Sequence, residues 1–208
     1  LSVIGDDPDG LAGADSSKLK ASMIGRSKAL RNYMKAIMSD ECPWCVVSAS
    51  TVGWAKRLFP ELTDEEAYLK LWDQILSACR STGDDPVAEW EEHIKVLDEK
   101  AKFLHENELV KLHITNDLGT DLYVGLPKNH IWQSAGSYAK KADRFVANIP
   151  TEEVFTMPHK DETSGIVYNA KPLNYSGVLI DNFWLKFENG KVVDFGAERG
   201  YDVLKNLL

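Results

Sequence analysis

Near Leu109 the hydrophobic period of this 208-residue chain changes, and that change limits its fold more than any other feature. Before it, apolar residues recur three and four positions apart, as on one face of a helix. After it, they come in short runs rich in β-branched and aromatic residues, separated by turn-forming residues. The two periods belong to different kinds of element. The expected fold class is therefore α/β to α+β. A βαβ unit plus helices occupies the first half, residues 1–107, and a β-rich mixed or antiparallel sheet the second, residues 108–208.

The first half opens on Leu1-Ser2-Val3-Ile4-Gly5, which reads as a buried strand. The acidic loop Gly5-Asp6-Asp7-Pro8-Asp9-Gly10 follows. A calcium loop needs an acidic residue at Gly5 and a glutamate at Ser16, so this reads as a surface turn. Asp15 caps one long helix whose apolar face is Leu19, Met23, Leu30, Met34 and Ile37. Trp44 to Ala49 is the next strand, and strand–helix–strand implies a parallel pair. Three helices come next. The first covers Trp54 to Phe59. The second begins at the capping box Thr63-Asp64-Glu65-Glu66 and buries Tyr68, Leu71, Trp72, Ile75 and Cys79. The third is capped by Asp85, with Pro86 at its first position. Its stripe, Val87, Trp90, Ile94, Leu97, Ala101 and Leu104, suits a core face or an oligomerising seam.

In the second half, strands are expected at 110–115, 122–125, 131–133, 144–149, 153–157, 164–169, 177–181, 183–187 and 191–195. Asn189-Gly190 between the last two is a strong hairpin signal. Val203 to Leu208 reads as an amphipathic helix. With no initiator Met and a strand at its first residues, the chain is expected to be a piece of a longer protein.

The formal net charge of −8 argues against nucleic acid and against an anionic membrane surface as partners. No apolar run is long enough to span a bilayer, and no signal peptide opens the chain. Three cysteines without a disulfide framework place it in a reducing cytoplasm.

Several motifs fall short of the chemistry they suggest. Cys42-Pro43-Trp44-Cys45 follows a helix and enters a strand, the reverse of the redox context, and no second Cys pair completes a zinc site. His105-Glu106 lacks the second histidine of a zinc peptidase helix. His93 reads as a partly exposed helix residue beside the seam. His113 and His130 sit in strand or turn segments without neighbouring ligands. Gly119-Thr120-Asp121-Leu122 has no P-loop lysine and reads as a hairpin.

Glu152 and Glu153 stand side by side in what reads as a buried strand, NIPTEEVFT. Successive strand residues face opposite ways, so one carboxylate would face the chemistry and the other solvent or a basic partner. The plain alternative is an exposed glutamate pair at a strand end.

NIPTEEVFT and the run SGIVYNAKPLNYSGVLIDNFWLKFENGKVVDFGAERG resemble the aminopeptidase T and aminopeptidase S-like metallopeptidases. The likeness extends back through GTDLYVGLPKNHIW and KLWDQILSACRSTGDDPVAEWEEH to GDDPDGL, so it covers essentially the whole chain. It implies a homodimeric exopeptidase with two divalent metal ions, zinc or cobalt, that removes N-terminal residues from peptides by metal-assisted hydrolysis. Some relatives write glycine where this chain has Glu152. The resemblance therefore carries a metal-ligand role to Glu153, with Glu152 as the fallback. The family's other ligands follow the segment matched here, and its N-terminal α/β segment precedes Leu1. The chain thus resembles the middle of the enzyme and is expected to be inactive alone. His159 reads as an exposed loop residue beside Pro158 and Lys160-Asp161, or else as an outer partner of the metal site. The general base is not assigned. Two other functions fit the residues: a non-catalytic module oligomerising through the Val87–Leu104 stripe, and a thiol oxidoreductase at Cys42 and Cys45.

Overall fold

The computed structural model of the protein describes residues 1–11, 13–140, 144–175 and 178–208. In chain order, β1 (Ser2–Ile4) leads to α1 (Ser16–Ala29), α2 (Arg31–Met38) and β2 (Val46–Ser48). Next come α3 (Val52–Leu58), α4 (Asp64–Ala78) and α5 (Pro86–Glu106). Strands β3 (Lys111–Thr115), β4 (Asp121–Gly125), β5 (Gly136–Tyr138), β6 (Arg144–Val146) and β7 (Asn148–Ile149) follow. Then come β8 (Thr163–Tyr168), β9 (Leu173–Tyr175), β10 (Val178–Glu188), β11 (Lys191–Arg199) and α6 (Tyr201–Leu207). Helices and strands are mixed, and the sheet of the second half is antiparallel, as the two periods require.

The chain forms two compact units, Leu1–Ala101 with Gln133–Val154, and Lys102–Trp132 with Phe155–Leu208. This differs from a single division after residue 107. The strand-like texture of 133–154 suggests the second part, yet β7 pairs with β2 and returns that segment to the first unit.

In the first unit β1, β2 and β7 form a parallel sheet in that order, with Val3 opposite Val47 and Val47 opposite Ile149. The parallel pair implied by strand–helix–strand is present. β1 is not buried, however: it is an edge strand, and Val3 is 61% exposed. Asp15 caps α1, its carboxylate accepting from the Ser17 and Lys18 N–H groups. The one long helix of the sequence reading is two, meeting at Leu30, where ψ is 8°. Gly25 and Ser27, both poor helix formers, lie just before that break. Of its apolar face, Met23 and Met34 are exposed, while Leu19, Leu30 and Ile37 are half-buried. A period identifies a face, not the neighbour that covers it.

The firmest packing lies between α3 and α4. Ala55, Ala67, Leu71, Ile75 and Cys79 are buried, with Trp54, Phe59, Leu62, Trp72 and Ile149 against them. The Thr63 capping box forms as expected: Glu66 N–H donates to Thr63 Oγ1, and Thr63 N–H to Glu66 Oε2 at 3.0 Å. Asp85 caps α5, accepting from Ala88 N–H at 3.0 Å. The α5 stripe is used within this chain, since Leu97 is only 1% exposed and Ala101 is buried. Asp98 on α5 accepts from Arg144 Nη2 at 2.7 Å and from the Ser134 hydroxyl, tying the antiparallel β5–β6 hairpin to the helix.

In the second unit β10 is the hub of a six-stranded antiparallel sheet in the order β11-β10-β8-β4-β3, with β9 also paired to β10. The sequence suggests two strands where β10 runs unbroken for 11 residues. The expected start of the first of them, Gly177, lies outside the described residues. Asn182 takes φ 47° inside β10, a conformation asparagine tolerates. Bonds on both sides hold it, from Asn182 N–H to Asp181 Oδ1 at 2.8 Å and from Phe183 N–H to Asn169 Oδ1 at 2.7 Å. Asn189 and Gly190 turn β10 into β11 with φ of 50° and 76°, the two positive values a short hairpin needs. Gly119 and Thr120 lie in the β3–β4 hairpin, as read from sequence, with Asn116 Oδ1 accepting from the Leu118 and Thr120 N–H groups. The expected strand 131–133 is only a bridge at Gln133, and 144–149 is divided at Ala147. Ile180 and Leu204 are buried where α6 meets β10. Among the described residues, no helix is long and apolar enough to cross a membrane.

Two outcomes follow from this packing. Leu71→Ala should lower the unfolding free energy by about 2–5 kcal/mol in urea titration, because its site is closed on all sides. Burial alone would raise the Asp98 carboxyl, but the hydrogen bonds from Arg144 and Ser134 outweigh it and hold the group below its ordinary value. A depressed folded pKa contributes stability above the unfolded value, about 3.9, and loses it as pH falls through the folded one. Asp98→Asn should therefore be less stable than wild type at pH 6, and the difference should shrink in urea titrations taken below about pH 4.

Candidate active-site cleft

Parallel strands send their following loops to the same side, and ligands of such sheets gather at the carboxyl ends. Here β2 and β7 end side by side. Val46, Val47 and Ser48 line a shallow cleft of about 590 Å³ together with 148–153, so both glutamates border it.

β7 stops at Ile149. Pro150 has no N–H to donate, and the Ile149–Pro150 bond is cis. The expected strand over 153–157 is absent apart from a bridge at Phe155. The glutamates therefore sit in a loop after a strand, not inside a buried strand. Glu152 and Glu153 are both exposed. Glu152 is engaged: its Oε1 lies 2.7 Å from Arg80 Nη2 and its Oε2 3.6 Å from His93 Nε2. Glu153 borders the cleft, its N–H donating to Thr151 Oγ1 at 3.4 Å.

Arg80 and His93 do not stand out in the sequence as parts of this site. His93 is a partly exposed helix residue, as expected, with its side chain 10% exposed. Its Nε2 is 2.7 Å from the Thr151 carbonyl, which can only accept, so the ring nitrogen is the donor. Arg80 follows α4 in the left-handed region, φ 53°. Arg80 N–H donates to Ser77 O and Ser81 N–H to Leu76 O, the bonding of a Schellman helix end. Glycine is the usual residue there, and a side chain costs about 1 kcal/mol or more. Asp40 after α2 and Glu108 after α5 also take positive φ, so this departure does not by itself point to Arg80. Trp90 touches both residues: its Nε1 donates to Cys79 O at 2.6 Å, the Arg80 guanidinium is 5.9 Å from its ring centre, and the His93 ring meets it edge-on at 5.4 Å.

None of the other candidates lines this cleft among the described residues, and the remaining histidines belong to the second unit. His105 is exposed at the end of α5. His113 stacks on Tyr123 and shares a 2.7 Å hydrogen bond with Asp121 across β3–β4. His130 Nδ1 donates to Pro127 O at 3.0 Å. His159 belongs to the second unit, where its Nδ1 accepts from Asp161 N–H at 3.3 Å and lies 3.7 Å from Glu162. In the acidic loop, Asp7 accepts from Asp9 N–H at 2.9 Å, a local turn. Cys42 is exposed, Cys45 half-buried and Cys79 buried, all as free thiols. Burial pushes the Cys45 thiol up, opposite to what a redox nucleophile needs.

The resemblance calls for divalent metal. Among the described residues no group of three or more His, Cys, Asp or Glu side chains could hold an ion. Glu152 is already paired with a guanidinium. The described residues do not fit a whole metal centre, and Glu153 is a single exposed carboxylate at the border of the cleft.

A family model described as thermophilic metalloprotease (M29) matches residues 1–208. Aminopeptidase AmpS of Bacillus subtilis (strain 168) is 45% identical over 208 residues, 100% of this chain and 50% of that protein. Aminopeptidase T of Thermus aquaticus is 42% identical over 208 residues, covering 100% of this chain and 51% of its own length. The solved structure of wild-type AmpT from Thermus thermophilus aligns with a TM-score of 0.91 at 36% identity, over 99% of this chain and 50% of that one. The chain thus spans about half the length of the curated relatives it matches.

Cys45 should react with iodoacetamide at pH 7 more slowly than free glutathione, measured by mass spectrometry of the labelled peptide. A faster reaction would restore the oxidoreductase reading.

Proposed function

The chain belongs to the thermophilic metalloprotease (M29) family, and on that premise we propose that it is a segment of a metal-dependent aminopeptidase that releases N-terminal residues from peptides. The observation that carries this reading is the match of all 208 residues to proteins named as aminopeptidases, at 42–45% identity in the two relatives above. Family membership implies divalent metal ions. We assign two per active site, zinc or cobalt, in a cytoplasmic homodimer. Three free thiols suit a reducing compartment.

Within this segment the proposed metal ligand is Glu153, with Glu152 as the fallback. The ion pair with Arg80 favours that order, because a carboxylate held by a guanidinium is less available to a cation. The remaining ligands would come from residues outside these 208, and no catalytic step is assigned to side chains of this chain. The oligomerisation-module alternative loses its main support, since Leu97 and Ala101 of the α5 stripe are buried within the chain.

In the complete enzyme, Glu153→Gln should reduce peptidase activity by roughly a hundredfold or more, the upper range for loss of groups that support a metal. Wild-type activity in that variant would end the assignment. The 208-residue chain alone should show no stoichiometric, tight zinc binding by isothermal titration, and a clean one-to-one isotherm would contradict the need for outside ligands.

A further inference from the structure

We propose that Arg80 and His93 are positioning residues of the cleft: together they clamp Thr151 and Glu152 so that the next residue, Glu153, is presented in one direction. The inference rests on the reading of Glu153 as the acting carboxylate. Its physical basis lies in how little else holds this loop. β7 is two residues long, and Pro150 offers no amide donor. Beyond Ile149 the loop is fixed by a bond from His93 to the Thr151 carbonyl and by the Arg80–Glu152 ion pair, both at 2.7 Å. The two side chains come from different elements. His93 stands on α5, and Arg80 stands just past the end of α4. Trp90 sets their spacing, bonded to Cys79 O beside Arg80 and lying edge-on to His93.

Arg80 also breaks a local rule. A Schellman end with φ 53° favours glycine, and folding alone would gain from it. Asp40 ends α2 in the same backbone conformation, so what singles out Arg80 is not the helix end but the 2.7 Å contact of its guanidinium with Glu152. A purely structural residue and a positioning residue thus predict opposite results from one substitution.

The test is Arg80→Gly in the complete enzyme. We expect an unfolding midpoint no lower than wild type, a kcat reduced about tenfold or more, and a KM changed by less than about threefold, as for a misaligned group rather than weakened substrate capture. Amide hydrogen exchange at 151–153 should quicken. Arg80→Lys, which keeps the charge but not the planar fork, should recover part of kcat. Wild-type kcat and exchange in Arg80→Gly would overturn the clamp. If Arg80→Gly unfolds, Arg80→Gln repeats the test with a side chain that removes the charge and leaves the helix end otherwise as it is, and the same kcat and exchange changes support the proposal. A Glu152→Gln loss without slower turnover in folded Arg80→Gly makes Glu152 itself the acting group and overturns it. Glu153→Gln separates the two levels: if that variant keeps full activity the ligand assignment fails, while exchange at 151–153 in Arg80→Gly still reports on the clamp.

Discussion

Parallel pairing of β7 with β2 puts Glu153 where it is. Parallel neighbours cannot be joined by a tight turn, so the chain must leave and come back. It leaves β2 at Ala49 and returns at Asn148, after three helices and four further strands. Because the two strands run the same way, the loop after β7 opens beside the carboxyl end of β2. Two residues of ladder are a weak hold by themselves. Ile149 adds to it by packing against the α3–α4 core, so the position of the cleft loop depends on helices far from it in sequence.

That dependence explains which features were legible in the sequence. The Thr63 capping box, the Asp15 and Asp85 caps and the Asn189-Gly190 hairpin are all decided within a few residues, and all are present. The parallel pairing of β1 and β2 was legible because the intervening helix leaves few other connections. The return of 133–154 to the first unit was not, because partner choice between short strands leaves no local trace. The same holds for β1, whose apolar residues read as core although it lies at a sheet edge. At Asn182, a residue that punctuates strands elsewhere was absorbed by the hydrogen bonds of its neighbours.

The candidate site divides in the same way. The paired glutamates were visible as a motif, and the alternation of a strand left one of them facing either solvent or a basic partner. The identity of that partner was hidden, since Arg80 and His93 lie about sixty to seventy residues earlier and carry no motif of their own. The arginine's place at a helix end does not mark it either, since Asp40 ends α2 in the same conformation. The family match points to a metal-dependent chemistry that local reading cannot reach, and among the described residues no group of three or more metal-ligating side chains is gathered.

The outer strands of the two sheets are unlike. β3 carries Lys111 and His113, and β11 carries Lys191, Asp194, Glu198 and Arg199, charges that discourage another strand from adding alongside. β1 is Ser-Val-Ile, with no charge at all. What protects that flank is brevity: three residues offer a newcomer too short a ladder to hold, where the longer edges rely on charge.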